Sequence, residues 1–425
     1  MKKYKILILI LLIFNLTLNV KNCLCQFAPL PIPGNPAIIS AIGSGMYGGN
    51  FIIMMAAQEN AGIFRSTNNG LGWIQINSGL NNLNIWDIKY FNNEFWATSS
   101  NGGIFKTTNA GDNWIPKNSG VPSNYVFEID FCQASNRLYT IVYNNGFYVS
   151  TDFGSSWNAS NSGLTTLQLR TFEIYNALYI GTVGNGVFKS TNNGNNWFLS
   201  NNGIGPVNIH DFDSTENFIF TGTYGSGIFR STDGTNWTPV NNGLGNLGVY
   251  SLESPPGGSQ DISGSNIFAG TAVGFYASSN NGDSWTARNE GLSGTPEILS
   301  LLTGSGYIFA GTNGQGLWRR PLSDIIGIKQ TGSEIPERFK LSQNFPNPFN
   351  PTTLIKFEIP NSNFEIVSLI IYDNLGREIQ TLVKERLSPG TYEVEFDGTY
   401  YSSGVYFYTL SSDSYKETKR MVLIK

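Results

Sequence analysis

The chemistry open to this chain is limited by its rarest reactive side chains. Its 425 residues include three cysteines and one histidine, His210. A catalytic triad needs a nucleophile placed beside an imidazole, and no Ser or Cys motif flanks His210. So few His and Cys residues also exclude a His-rich metal site, a zinc-finger framework and a scaffold of many disulfides. We therefore expect no metal and no cofactor.

Carboxylates are the second source of chemistry, because Asp and Glu recur at related positions along the first 325 residues. Two carboxylates about 6.5–9.5 Å apart could hydrolyse a glycosidic bond, and a ring of them could hold a cation. The alternative, which we favour, is a solvated polar wall, since most exposed carboxylates are simply solvated. No spacing among them resembles a Ca²⁺ loop. The candidates are Asp87, Glu128, Asp130, Glu173, Asp211, Asp213 and Glu253.

A second row combines aromatic and cationic side chains at equivalent positions. Gathered at one surface, such side chains could stack on sugars or grip a peptide. The alternative, more common for Trp and Phe, is that they fill gaps between sheets. We treat the row as a candidate ligand-binding site. Its members are Trp86, Phe127, Arg170, His210 and Tyr250.

Both rows are positioned by an internal repeat of about forty residues. Each copy carries a Gly-apolar-aromatic strand, a polar box ending in Trp, and an Asn-x-Gly turn. The pattern predicts four short strands per copy, which is typical of a β-propeller, here with seven blades. The seventh copy lacks an outer strand, so either Phe27–Ile32 or Ile325–Lys329 is expected to close the ring. The box tryptophans are Trp73, Trp114, Trp157, Trp197, Trp237 and Trp285.

The residue types of the box, for example in Ser190–Trp197, suit a tight turn followed by a buried side chain. Its Ser or Thr hydroxyl and the Asn or Asp two residues later can accept hydrogen bonds in a tight turn, whose Gly supplies a positive φ. The Trp can then pack between blades. Residues 37–325 thus resemble the Asp-box (BNR) repeats of sialidases, xyloglucanase-type hydrolases and photosystem II assembly-factor-like propellers, although four of the six boxes carry Asn instead of Asp.

This resemblance implies the fold, while its boxes are structural and lie away from active sites in those families. Sialidases use three arginines, but Arg65 and Arg230 share a repeat position with Lys106 and Lys189, so they belong to the repeat and not to a triad. Xyloglucanase-type enzymes place their acids between two propellers, and one propeller is expected here. We therefore assign no catalytic residue.

The two ends of the chain indicate export. Lys2, Lys3 and Lys5 precede a short apolar run, which is typical of a signal peptide over residues 1–25 and too short for a membrane anchor. Cys23 and Cys25 fit a cleavage site better than a lipoprotein signal. The net charge of −4 and the lack of a basic patch exclude a nucleic-acid partner.

The last part of the chain changes pattern. After a polar linker, 326–340, alternating strands predict a small Ig-like antiparallel sandwich over 341–425. Its motifs resemble the C-terminal sorting domain of type IX secretion in Bacteroidota; the alternative is an ordinary adhesive Ig-like module. The matching positions include Asn347, Pro348, Asn350, Gly376, Arg377 and Gly404.

Together these features predict an all-β, exported protein, secreted or attached at the cell surface, that acts as a non-enzymatic binding or structural module. The resemblance implies the type IX translocon and sorting machinery as partners. An extracellular glycan or protein is the expected ligand, and no membrane span is expected in the mature chain. The alternative function is a glycoside hydrolase or lyase acting on an extracellular polysaccharide.

Overall fold

A computed structural model describes residues 26–425, apart from 256–265, 323–324, 326–327, 333–334, 361–365, 388, 399–400 and 413. The expected signal peptide, with Cys23 and Cys25, lies outside the described residues. Within them no helix is long and apolar enough to cross a membrane.

Seven four-stranded antiparallel sheets, here called blades 1 to 7, precede two further sheets. Gly residues and short polar turns separate the strands, so each strand is five to nine residues long except for the outer ones of two residues and one strand of four. From the inner strand outward, the blades consist of Ile39–Tyr47, Asn50–Ala57, Gly62–Ser66 and Ile74–Gln75 (blade 1); Ile85–Phe91, Glu94–Ser99, Gly103–Thr107 and Ile115–Pro116 (blade 2); Val126–Cys132, Arg137–Val142, Gly146–Ser150 and Asn158–Ala159 (blade 3); Leu169–Ile174, Leu178–Thr182, Val187–Ser190 and Phe198–Leu199 (blade 4); Ile209–Ser214, Ile219–Thr223, Gly227–Ser231 and Thr238–Pro239 (blade 5); Val249–Glu253, Ile267–Thr271, Gly274–Ser278 and Thr286–Ala287 (blade 6); and Ile298–Gly304, Tyr307–Thr312, Leu317–Pro321 and Ala28–Pro29 (blade 7).

The N-terminal segment closes the ring. Ala28–Pro29 pairs with Leu317–Pro321 as the outer strand of blade 7. Phe27 is buried, and its amide donates to the carbonyl of Glu290 at 2.8 Å. Of the two expected closures, the N-terminal one is therefore found. The other candidate segment instead contributes Ile328–Gly332 to the C-terminal sheets.

In blades 2 to 6 the box tryptophan bonds each blade to the one before it, whereas Trp73 of blade 1 donates to Gly70 of its own box. In blade 4 the Ser190 hydroxyl accepts from the Gly194 amide at 3.0 Å, and Asn192 accepts from the Asn196 amide at 2.9 Å. Trp197 is 2% exposed and donates its indole N–H to the Ser160 carbonyl of blade 3 at 2.7 Å. Asn can replace Asp in this turn because the turn needs only a side-chain oxygen that accepts hydrogen bonds, and both residues supply one.

Every inner strand contains a β-bulge at the same place. The register shifts by one residue, for example between Ile85 and Asp87 in blade 2. A bulge leaves one extra residue unpaired in the ladder and re-aims its side chain. The seven extra residues, here called the bulge ring, are Ser40, Trp86, Phe127, Arg170, His210, Tyr250 and Leu299.

The C-terminal residues form two sheets around a separate apolar core. One consists of Ile328–Gly332, Gly390–Asp397, Thr352–Ile359 and Lys340–Leu341, the other of Glu378–Arg386, Ile366–Tyr372, Gly404–Ser411 and Lys416–Leu423. The segment expected to be a linker, 326–340, thus supplies the edge strand Ile328–Gly332, because that strand pairs with Gly390–Asp397.

Two of the motif residues of this region make hydrogen bonds that hold its loops in place. Asn347 accepts a hydrogen bond from the Val422 amide at 2.9 Å, which fastens the proline-rich loop to the last strand. Arg377 donates to Asp373 at 2.7 Å across a turn in which Gly376 has φ 77°. Gly404 begins the strand Gly404–Ser411, whereas Pro348 and Asn350 lie in the proline-rich loop itself.

Candidate ligand site at the channel mouth

The inner strands surround a central cavity of about 1040 Å³. Because of the bulge, the extra residue and the one after it both line this cavity, as Trp86 and Asp87 do. Two positions further on, Lys89, Glu173, Asp213 and Glu253 line it again. The cavity wall therefore has three levels: the bulge ring at the mouth, an upper acidic level and a lower acidic level.

Two aromatic clusters flank the mouth. On blades 2 and 3, the rings of Trp86 and Phe127 lie 5.5 Å apart, and Tyr125 and Tyr143 lie 4.8 Å apart. On blades 5 and 6, the other cluster consists of His210, Tyr224 and Tyr250, with ring centroids 5.1–6.0 Å apart. Tyr143 and Tyr224 are 44% and 57% exposed. The predicted Trp86, Phe127, His210 and Tyr250 beside them are half-buried.

Arg170 lies on blade 4, between the two clusters. Its guanidinium carbon is 5.6 Å from the centroid of the Phe127 ring, within range of a cation–π contact. Within the described part of the chain it has neither an ion pair nor a hydrogen bond, whereas Arg65 and Arg230 are paired with Asp112 and Asp283 at 2.8 and 2.7 Å. Arg170 is thus a half-buried cation with free donors.

Two further polar groups complete the mouth. The indole nitrogen of Trp86 is buried and has no hydrogen-bond partner among the described residues, so it is a second free donor. Burial, followed by the charge of Arg170, lowers the pKa of His210 to about 4. The imidazole is therefore neutral at pH 7, and Arg170 is the cation of the bulge ring.

The acids below the mouth bind the next blade. Asp87 accepts from the Ile129 amide at 3.1 Å, and Glu128 accepts from the Phe172 amide at 3.0 Å. Asp211 binds Leu252 and Glu253 binds Thr303 in the same way, at 2.8 and 2.7 Å. An inner strand is a sheet edge whose N–H groups lack a partner strand, so these carboxylates satisfy donors that would otherwise be unpaired.

Crowding makes these acids weak. Burial, reinforced by neighbouring carboxylates, raises the pKa of Glu173 and Glu253 to about 8, and burial raises that of Asp211 to about 7. Burial likewise raises the pKa of Asp213 to about 6. The pKa values of Asp87, Glu128 and Asp130 are raised by burial as well.

Lys89 is the single cation of the lower level. Burial opposes its charge, but Asp87, Asp130 and Glu128 outweigh burial and hold the pKa of its ammonium well above the usual value. No group of three or more His, Cys, Asp or Glu is arranged to hold a metal ion in the part of the chain that the structure describes. The acids of the cavity act electrostatically on one another and on Lys89.

The structure brings all five predicted mouth residues together in the bulge ring. Six of the seven predicted acids line the cavity, namely Asp87, Glu128, Glu173, Asp211, Asp213 and Glu253, while Asp130 lies at the lower level outside its lining. Sequence reasoning missed Lys89, although it occupies the repeat position of Asp130. It also missed Tyr125, Tyr143 and Tyr224, which lie just outside the repeat positions compared. The Pro- and Gly-rich segment 254–266 lies mostly outside the described residues.

Comparison with known proteins agrees with this architecture. Residues 343–425 match the family described as secretion system C-terminal sorting domain. The chain is therefore a β-propeller protein with a type IX sorting domain, and it is secreted or attached to the cell surface. Its sorting domain implies interaction with the type IX secretion machinery. No curated protein sequence is significantly similar to the chain.

Solved structures share the propeller fold at low sequence identity. A YCF48 structure bound to a D1 peptide is 16% identical, with a TM-score of 0.54, over 70% of this chain and 96% of YCF48. YCF48 from Cyanidioschyzon merolae is 13% identical, with a TM-score of 0.54, over 70% and 98%. The GH74 xyloglucanase from Xanthomonas campestris is 11% identical, with a TM-score of 0.55, over 84% of this chain and 63% of the enzyme.

Proposed function

We propose that the mature protein is a non-enzymatic binding module that holds its ligand at the channel mouth through Arg170. One observation carries this proposal: the Arg170 guanidinium is half-buried and unpaired between two partly exposed aromatic clusters. A desolvated cation without a partner is costly, and an anionic group of a ligand would supply the missing acceptors. The neighbouring rings would then bury an apolar or flat part of that ligand.

The similar structures leave the ligand class open between a peptide and a glycan. YCF48 has been solved with a D1 peptide bound. The GH74 protein is a xyloglucanase. For this chain we propose only that the ligand presents an anion at the mouth, and that residues 1–25 are a signal peptide that brings the protein to the periplasm.

The second candidate function is a glycoside hydrolase or lyase. It is favoured by the raised pKa values of Glu173 and Glu253, because a carboxyl group protonated near pH 7 can act as a general acid. The hydrogen bonds to backbone amides argue against it, since Glu253 accepts from both the amide and the hydroxyl of Thr303 at 2.7 and 2.6 Å. Such contacts give Glu253 a structural task.

Peptide and glycan arrays probed with residues 26–425 test the proposal, with hydrolysis of the same glycans measured in parallel. We expect binding without turnover, and about tenfold or greater loss of binding in Arg170→Gln, because a charged hydrogen bond is removed. Arg230→Gln is the matched control, since Arg230 is paired with Asp283 away from the mouth. Turnover that is lost in Glu253→Gln or Glu173→Gln would favour the enzyme instead.

A further inference from the structure

The unpaired cation of the mouth lies on blade 4, between the two blades that carry the weak acids Glu128 and Asp211. Asp211 follows His210 in sequence, and Glu128 follows Phe127, so both carboxylates belong to the level just below the bulge ring. Both act electrostatically on Arg170, yet neither lies within ion-pairing distance of it among the described residues. An anion bound by Arg170 would therefore feel these two carboxylates from below.

Asp211, in this level, changes its charge close to neutral pH. The pKa of Asp211 is raised to about 7 by burial, and that of Glu128 is raised well above its usual value by the same cause. Lys89 keeps its positive charge throughout, because its pKa is raised further by the surrounding acids. Acidification from pH 8.5 to 5.5 thus removes the negative charge of Asp211 below the mouth, and the raised pKa of Glu128 acts in the same direction, while Arg170 stays charged.

We propose that the mouth is a pH-gated anion site, in which ionised Asp211 and Glu128 repel an anion from Arg170 and their protonation admits it. The inference rests on the proposed function, because it concerns the regulation of that same site. Like charges in a poorly solvated cavity repel more strongly than in water, so each proton gained strengthens anion binding.

Other groups face Arg170 without providing the gate. His210 stays neutral above about pH 5, since its pKa is lowered to about 4 by burial and by Arg170. The phenol of Tyr250 is kept protonated, because burial and the nearby Glu297 raise its pKa. The remaining groups that act on Arg170 or His210 are Tyr125 and Glu297.

The test uses residues 26–425 without a histidine tag, so that His210 is the sole imidazole and gives one unambiguous set of ring signals in NMR spectra. The probe is N-acetylphenylalanine, which carries a carboxylate and an aromatic ring, and its carboxamide is the neutral control. A carboxyl group of this kind titrates near pH 3.5, so the charge of the probe stays constant between pH 5.5 and 8.5, and any change in its binding reports on the protein.

We expect the probe to bind about tenfold more tightly at pH 5.5 than at 8.5, equivalent to one pKa unit of coupling. The carboxamide should show no such dependence. Asp211→Asn should tighten binding at pH 8.5 and flatten the pH profile, with Asp283→Asn, an exposed box residue, as control. Glu128→Gln provides a second variant if Asp211→Asn is unstable.

The outcomes separate the two claims. Binding that needs Arg170 but is equally strong at both pH values would overturn the gate and leave the proposed function standing. Absence of binding, or binding unaffected by Arg170→Gln, would contradict the proposed function and the gate with it. A pH profile unchanged in both Asp211→Asn and Glu128→Gln would assign the gating to other groups and refute the proposal.

Discussion

The Asp211 carboxylate accepts a hydrogen bond from the Leu252 amide of the next blade at 2.8 Å. The same relationship joins Glu128 to Phe172 at 3.0 Å. These acids therefore have two effects: they connect neighbouring inner strands, and they concentrate weakly acidic groups around one cavity. Both the folding stability and the proposed ligand binding consequently depend on whether these carboxyl groups are protonated.

The first prediction is that the propeller becomes less stable as pH rises from 5.5 to 8.5. The pKa of Glu173 is raised by burial and by Asp213 to about 8, far above its unfolded value near 4.3. The folded state then binds more protons than the unfolded state between these values, so its contribution to stability is lost as pH rises through 8. Thermal unfolding should show a melting temperature several degrees lower at pH 8.5.

A pair of variants isolates this effect. Glu173→Gln should raise the melting temperature at pH 8.5 and change it little at pH 5.5, because Gln cannot ionise. Glu216→Gln, at an exposed position of the same region, should change neither. A wild-type melting temperature that increases from pH 5.5 to 8.5 would show that these carboxyl groups are not weak acids in the folded protein.

The second prediction concerns ring closure. Phe27 is 3% exposed, and its ring is 5.3 Å from that of Phe275. Phe27→Ala should lower the free energy of unfolding by about 3–5 kcal/mol, because it leaves a cavity at the closing strand. Denaturant unfolding measures this, with the exposed Pro31→Ala as control. Equal stability of the two variants would mean that the N-terminal segment does not close the ring.

The third prediction concerns the contacts between blades. Trp197→Ala removes a buried ring and its hydrogen bond to Ser160 of blade 3, so a loss of about 3–5 kcal/mol is expected. Phe198→Ala changes the next residue, which is 63% exposed, and should cost little. If the two variants unfold at the same denaturant concentration, the box tryptophans do not hold the blades together.

The blades, the bulge ring and the bonds between inner strands could be predicted from the sequence to different extents. The Trp and Gly spacing predicts the blades, because each copy needs the same turn. The bulge ring was found as a row of aromatic and charged residues, but Ser40 and Leu299 were missed because neither side chain is distinctive. The pairing of Asp211 with Leu252 joins residues 41 positions apart, so it depends on ring geometry that no local pattern contains.

The segment 326–340 is a second case in which the local sequence did not predict the structure. Residues 326–340 are polar and uneven, which predicts an irregular connection. Ile328–Gly332 nevertheless forms a strand, because Gly390–Asp397 presents it with a free sheet edge. Tertiary pairing thus overrides local preference.

The fourth prediction concerns export. Residues 343–425 match a secretion system sorting domain. Deletion of 341–425 should retain the protein in the periplasm, whereas Arg170→Gln should be delivered normally, because Arg170 lies in the propeller. Cell fractionation with surface protease accessibility measures both. Surface delivery of the shortened chain would refute the sorting role.

The most direct test of the proposed ligand site is the binding of N-acetylphenylalanine at pH 5.5 to wild-type protein and to Arg170→Gln. We expect the probe to shift the ring signals of His210 in the wild type. In Arg170→Gln, binding should be about tenfold weaker or absent, because the charged hydrogen bond is lost. Equal binding to both proteins, with no change at His210, would contradict a ligand site at the channel mouth.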